Sequence, residues 1–166
     1  MLPNHMIRFL LVDDVDANLL ALEGLLKRPG LDLLKAHSGA EALELLLAHD
    51  VALAFLDVQM PEVDGFELAR LMRGTDRTRH IPIIFLTAGT VDQQRRFDGY
   101  DAGAVDFLFK PIEPHILQSK ANIFFNVAQQ REELRENEKR FLEANAKLTH
   151  SVTELQNARR AALNVM

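Results

Sequence analysis

The residues best suited to chemistry stand at the ends of short apolar runs. Asp13 and Asp14 follow IRFLLV (7–12), Asp57 follows VALAFL (51–56), Thr87 and Ala88 follow IPIIFL (81–86), and Lys110 follows VDFLF (105–109) and precedes Pro111. Carboxylates gathered in one place repel one another and raise a pKa unless a cation lies among them, so the set predicts a divalent metal. Oxygen ligands, with no cysteine and no histidine at these ends, favour a hard ion; Mg²⁺, which takes few carboxylates and keeps several waters, suits phosphate chemistry, with Mn²⁺ as a substitute. A carboxylate attacks phosphorus once the incoming negative charge is neutralised and its geometry held. Asp57, alone after the central run, is the nucleophile in this reading. Asp13 and Asp14 are metal ligands, direct or through water; Lys110 pairs with one phosphoryl oxygen, and the Thr87 hydroxyl and nearby backbone N–H groups bind the others.

Those side chains meet only if the runs are neighbouring strands with their carboxyl ends at one rim. Five runs qualify: the four above and LDLLKA (31–36). Their near-continuous hydrophobicity fits strands covered on both faces, as in a parallel sheet with crossover helices. Helical spacing of Leu19, Leu22 and Leu26 predicts a first helix over 16–28, ended near Gly30. Ser38 with Glu41, Asp64 with Glu67 and Thr90 with Gln93 read as three further helix starts, with Gly74 and Gly103 where the third and fourth helices stop. The fold class is α/β, a doubly wound five-stranded sheet. In such sheets ligands collect beyond the carboxyl ends of the strands, where the acids, Thr87 and Lys110 stand.

After Pro111 there is no glycine and only one proline, Pro114, which predicts one long helix. Ile116, Leu117, Ile123, Phe124 and Val127 supply a docking face for the sheet. Beyond about residue 128 no sheet remains to cover, yet Val127, Leu134, Phe141, Leu148, Leu155 and Ala162 recur every seven residues. Gln130, Asn137, Ala144, Ser151, Ala158 and Val165 follow three places on. This heptad seam predicts a parallel homodimeric coiled coil, modest in stability because its second row is small or polar, with Asn137 fixing register. The rival is a solvated single helix, which is marginal in water. The domain division is 1–127 for the α/β unit and 128–166 for the helical extension. The last residues carry no stop signal, so more chain is expected to follow.

Composition narrows the function classes. Net charge is −5 over 166 residues, which leaves no electrostatic footprint for direct nucleic-acid binding. The absence of cysteine excludes disulfides and thiolate metal sites. The N-terminal apolar run is too short to span a bilayer and lacks a cleavage site, so the expected location is cytoplasmic, with no membrane partner. None of the six histidines has metal-pair spacing, and a solvated surface position is the expectation for each; His150, the one weighed as a phosphoacceptor, lacks acid-rich flanks and a nearby proline.

The motifs FLLVDD, FLDVQMPEVDGFEL, FLTA and GAVDFLFKP, in this order and each at a strand end, resemble the response-regulator receiver family over roughly residues 6–125. The resemblance implies a flavodoxin-like strand order 2-1-3-4-5 and Asp57 as phosphoacceptor. It further implies Asp13 and Asp14 as the acidic pair, the Gln59 backbone carbonyl as a further Mg²⁺ ligand, Lys110 as phosphate contact, a cis peptide before Pro111, and Thr87 with Phe107 as a switch pair. The partner it implies is a sensor histidine kinase or phosphotransfer protein. The chain is then no enzyme beyond self-phosphorylation and autodephosphorylation. It acts as a receiver signalling through a dimeric helix, as at the front of a hybrid histidine kinase or diguanylate cyclase. The rival readings are a phosphorylation-independent dimerisation module and a phosphatase or phosphotransferase that releases product quickly.

Overall fold

The computed structural model describes residues 5–89, 100–101 and 103–166. Two compact units are present, Met1–Ala128 and Gln129–Met166. In the first, β1 (Ile7–Val12), β2 (Leu31–Ala36), β3 (Leu53–Asp57), β4 (Ile83–Ala88) and β5 (Ala104–Lys110) form one sheet in the order β2-β1-β3-β4-β5, every pairing parallel. Helices α1 (Asp16–Leu26), α2 (Gly39–Ala48) and α3 (Gly65–Arg73) lie between strands in the sequence, and the C-terminal helix spans Pro114–Val165. The expected fold and strand order are observed.

Parallel strands need covered faces, and the buried side chains divide accordingly. Leu10, Val12, Ala54, Leu56, Ile83, Phe85 and Phe107 pack with Ala42 and Leu46 of α2 and Phe66, Leu68, Ala69 and Met72 of α3. Phe9, Leu11, Phe55, Ile84, Leu86 and Leu108 pack with Leu19, Leu22 and Leu26 of α1 and Leu117, Ala121 and Phe125 of the C-terminal helix. Alternate residues of one strand thus feed opposite layers, as the two-residue period of a strand requires.

Three local expectations shift. Strands β3 and β4 start and end later than their apolar runs: Val51–Ala52 and Ile81–Pro82 lead in, while Asp57, Thr87 and Ala88 belong to the strands. Pro82 has no N–H to donate but accepts through its carbonyl from Ala54 at 3.0 Å, so pairing begins just after it. The capping box at α2 is displaced: Ser38 Oγ accepts from the Glu41 N–H at 3.1 Å, whereas the Glu41 carboxylate accepts from the His37 N–H at 2.9 Å. In the C-terminal helix the docking stripe is Leu117, Ala121 and Phe125, with Ile116, Ile123 and Val127 exposed. Steps of four follow one ridge of a helix, which selects 117, 121 and 125 once Leu117 seats on the sheet. Gly74 ends α3 where the third helix was expected to stop, in right-handed helical geometry. The helix start expected at Thr90 and Gln93 lies outside the described residues.

Candidate functional site

Each acid is delivered by a strand end. Strand β1 runs out at Val12, and the next residue turns its carboxylate inward: Asp13 is 0% exposed, while Asp14 beside it faces solvent. Among the described residues, three donors hold the Asp13 carboxylate. Val15 N–H donates to Oδ1 at 2.9 Å, Asn18 Nδ2 to Oδ2 at 3.1 Å, and Lys110 Nζ to Oδ2 at 3.1 Å. The last residue of β3, Asp57, is 4% exposed and accepts from Lys110 Nζ through Oδ1 at 3.2 Å. Lys110 reaches both acids from the end of β5, and the peptide bond to Pro111 is cis, as the resemblance implied.

One carboxylate oxygen from each of Asp13, Asp14 and Asp57 can be chosen so that all three lie within 4.8 Å of one another. Three negative groups that close, two of them buried, with one lysine ammonium between them among the described residues, leave the cluster anionic. That deficit, and the oxygen-only donor set, fit a hard divalent cation. Asp57, Asp14 and the donor-laden Asp13 are the side chains that would hold it. Gln59 follows two residues after Asp57, exposed at the rim, with its backbone N–H on the side that lowers the Asp57 pKa.

The electrostatics follow from burial. Desolvation lifts the Asp57 pKa above its ordinary value and the neighbouring Asp13 charge adds to this, while Lys110 and the Gln59 N–H pull the other way without cancelling it. Burial opposes the Lys110 charge, but the hydrogen bond to Asp13 and the charges of Asp57 and Asp13 outweigh it, so its pKa lies above the usual lysine value. The ammonium is therefore a permanent fixture at physiological pH.

A stability prediction follows from the Asp57 shift. A carboxyl whose pKa is higher in the folded than in the unfolded state binds its proton more tightly when folded, so its ionisation costs stability above the folded pKa and costs nothing below the unfolded one. Without divalent metal, Asp57→Asn is expected to raise the thermal midpoint at neutral pH by roughly 3–5 °C. The gain should shrink as pH falls into the ordinary carboxylate range. Melting curves across pH check this, and a variant less stable than wild type at neutral pH would contradict it.

Thr87 and Phe107 occupy adjacent strands, both buried. In the β4–β5 register Phe85 faces Phe107 and Thr87 faces Phe109, so Thr87 stands one pleat nearer the acids. The Phe107 ring is inside an aromatic cluster, with centroids 5.4 Å from Phe85, 6.4 Å from Phe66 and 5.2 Å from Tyr100. Residue spacing did not reveal Asn18 as part of the site, although an amide one turn into a helix that follows an acid pair is a readable signal. Nor did it reveal that His37 bridges Asp16 at 3.0 Å and Glu41 at 3.4 Å at the edge of the same rim. His150 pairs with Glu154 at 3.1 Å on the exposed helix.

A family model described as the response regulator receiver domain matches residues 9–122. The response regulator PleD of Caulobacter vibrioides is 35% identical over 133 residues, covering 79% of this chain and 29% of that protein. The transcriptional regulatory protein GltR of Pseudomonas aeruginosa is 38% identical over 120 residues, covering 72% of this chain and 49% of that protein. The chain thus spans under half the length of either relative. Among solved structures, a response regulator receiver protein from Pseudomonas putida is similar with a TM-score of 0.66 at 31% identity, covering 70% of this chain and 96% of that one. The chemotaxis protein CheY4 of Vibrio cholerae is similar with a TM-score of 0.66 at 26% identity, covering 72% and 98% respectively. With the sheet order, the strand-end acids and the lysine before a cis proline already in place, these likenesses show that the chain belongs to the response regulator receiver domain family of two-component systems.

Proposed function

We propose that this receiver accepts a phosphoryl group on Asp57 from the phosphohistidine of a sensor kinase or phosphotransfer protein, and passes the change to an output segment through a dimeric C-terminal helix. The observation that carries the reading is the Lys110 ammonium placed between two buried carboxylates, 3.1 Å from Asp13 and 3.2 Å from Asp57, at a strand-end rim. In the transfer an Asp57 oxygen forms the bond to phosphorus as the bond from phosphorus to the donor nitrogen breaks, and the imidazole leaves with that electron pair. Mg²⁺, when bound, supplies charge neutralisation for the phosphoryl oxygens. Asp13, Asp14 and Asp57, with the Gln59 carbonyl, are the groups assigned to hold it. Lys110 trades a carboxylate for a phosphoryl oxygen, and the Thr87 hydroxyl binds another.

Readout is assigned to Thr87 and Phe107. Drawing Thr87 toward the phosphoryl group alters the space beside Phe107, and the ring's packing with Phe85 and Tyr100 shifts between two populations. Support for dimerisation comes from the second unit. Leu134 (68% exposed), Phe141 (70%), Leu148 (64%) and Leu155 (71%) are uncovered at seven-residue intervals in a single chain. Counting back by sevens from Gln130, Ile123 and Ile116 fall in the second seam row and are exposed too. Among the described residues no helix is long and apolar enough to cross a membrane, and the cytoplasm is the location this reading assigns.

Incubation with acetyl phosphate and Mg²⁺ tests the proposal by intact mass. Wild-type protein should gain one phosphoryl group, and Asp57→Asn should gain none. No gain in the wild type, or a gain that survives Asp57→Asn, would overturn it and favour a phosphorylation-independent dimerisation module.

A further inference from the structure

Among the donors around the rim, Asn18 is the one whose presence helix formation does not explain. Asparagine is a poor residue for a helix interior because its amide competes for backbone groups. Asn18 nonetheless stands inside the first turn of α1, half-buried, with its Nδ2 3.1 Å from Asp13 Oδ2. The N-cap position of α1 is Val15, which has no side chain able to cap, so the helix start leans on Asp13, which accepts the Val15 N–H. Asp13 is 0% exposed, and a buried carboxylate must have its charge met by donors. Its three donors are unequal. The Val15 N–H is fixed by the backbone. Lys110 is shared with Asp57 and, on the reading above, is drawn off to a phosphoryl oxygen during transfer. Among the described residues, Asn18 is then the donor left to keep Oδ2 oriented throughout.

We infer that Asn18 is a positioning residue for the metal site: by holding Asp13 Oδ2 it fixes which way the remaining Asp13 lone pair points, and so sets the affinity for a divalent cation. A carboxylate offers about four acceptor directions, and three donors leave about one for a metal or its bound water. Releasing Oδ2 lets the carboxylate turn and take that direction out of the cluster formed with Asp14 and Asp57. Groups that orient metal-ligating side chains typically change affinity by about 10- to 100-fold when removed. The inference rests on the metal-dependent reading above, and the experiment is arranged so that the two fail separately.

The test is titration of the whole chain with Mn²⁺, the free ion followed by electron paramagnetic resonance, for wild type, Asn18→Ala, Asp13→Asn and the double variant. Circular dichroism without metal identifies folded variants, and Asn18→Ser replaces Asn18→Ala if that variant does not fold. Asn18→Ala is expected to weaken Mn²⁺ binding about tenfold. In the Asp13→Asn background the same change should alter affinity by less than about twofold, because Asn18 acts only through Asp13. An Asn18→Ala protein that binds as tightly as wild type, or a loss of equal size in both backgrounds, would overturn the inference while leaving the metal site standing. Wild type that binds no Mn²⁺ at all would instead overturn the metal-dependent reading, and this inference with it.

Discussion

Replacing Gly65 by Ala is expected to destabilise the receiver by about 3 kcal/mol, roughly 10 °C in thermal midpoint, and to slow phosphoryl uptake. Gly65 is the first residue of α3, its N–H donates to the Val58 carbonyl at 3.2 Å, and it lies directly on the chain that carries Asp57. A Cβ built there would collide with the Asp57 carbonyl oxygen and come within 3.0 Å of the Asp57 carbonyl carbon and 3.1 Å of Val58 Cα. Backbone cannot swing aside as a flexible side chain would. Either α3 lifts away, opening the layer that Phe66, Leu68, Ala69 and Met72 fill, or β3 shifts and takes the Asp57 carboxylate off Lys110. Gly24 in α1 is the internal control: a Cβ there meets nothing within 4 Å. Gly24→Ala should stabilise by about 0.5–1 kcal/mol through helix propensity alone. Chemical denaturation of both variants checks the pair, and equal effects would show that crowding at Asp57 is not the cause.

Polar substitution of the exposed seam is expected to have the second large effect. Changing Phe141 and Leu148 together to Asn should raise the dimer dissociation constant by at least about 100-fold, since burying a large apolar side chain contributes about 1.5–3 kcal/mol and a symmetric dimer loses each contact twice. Sedimentation equilibrium at tens of micromolar reads the shift. Phosphoryl uptake by Asp57 should be unchanged, because neither residue is within the α/β unit. Asn137 gives a contrasting arm. Asn137→Leu should tighten the dimer while loosening its register, since a buried asparagine specifies alignment at a cost in stability. A wild-type protein that sediments as a monomer at these concentrations would refute the seam.

Much of this was legible in the amino-acid sequence because it depends on short-range pattern. The five apolar runs are too continuous for half-exposed strands, so they imply a sheet covered on both sides, and that geometry alone brings Asp13, Asp57, Thr87 and Lys110 to one rim. Ser38 and Asp64 cap the helices they introduce, because a side-chain oxygen three residues before a backbone N–H is a local relationship. The limits of pattern show at β3 and β4, where hydrophobicity marks residues that lead into a strand as readily as those that pair in it. The helix face that meets the sheet is only partly legible for a similar reason: of the apolar Ile116, Leu117, Ile123, Phe124 and Val127, Leu117 and Phe124 pack on the core while Ile116, Ile123 and Val127 stay exposed.

The neighbouring acids mark the division most sharply. By sequence Asp13 and Asp14 are equivalent, two carboxylates after the same strand. In the folded chain one is wholly buried under three donors and the other is open to solvent, because adjacent residues of an extended chain point to opposite sides. Lys110 reaches Asp13 across 97 positions of sequence, and Asn18 reaches it from the next helix. Residue type and strand period are therefore enough to say which groups gather at the rim and which layer each strand side chain enters. Which acid is desolvated, which donors restrain it and how close Gly65 lies to Asp57 depend instead on distances between segments that meet only when the sheet closes.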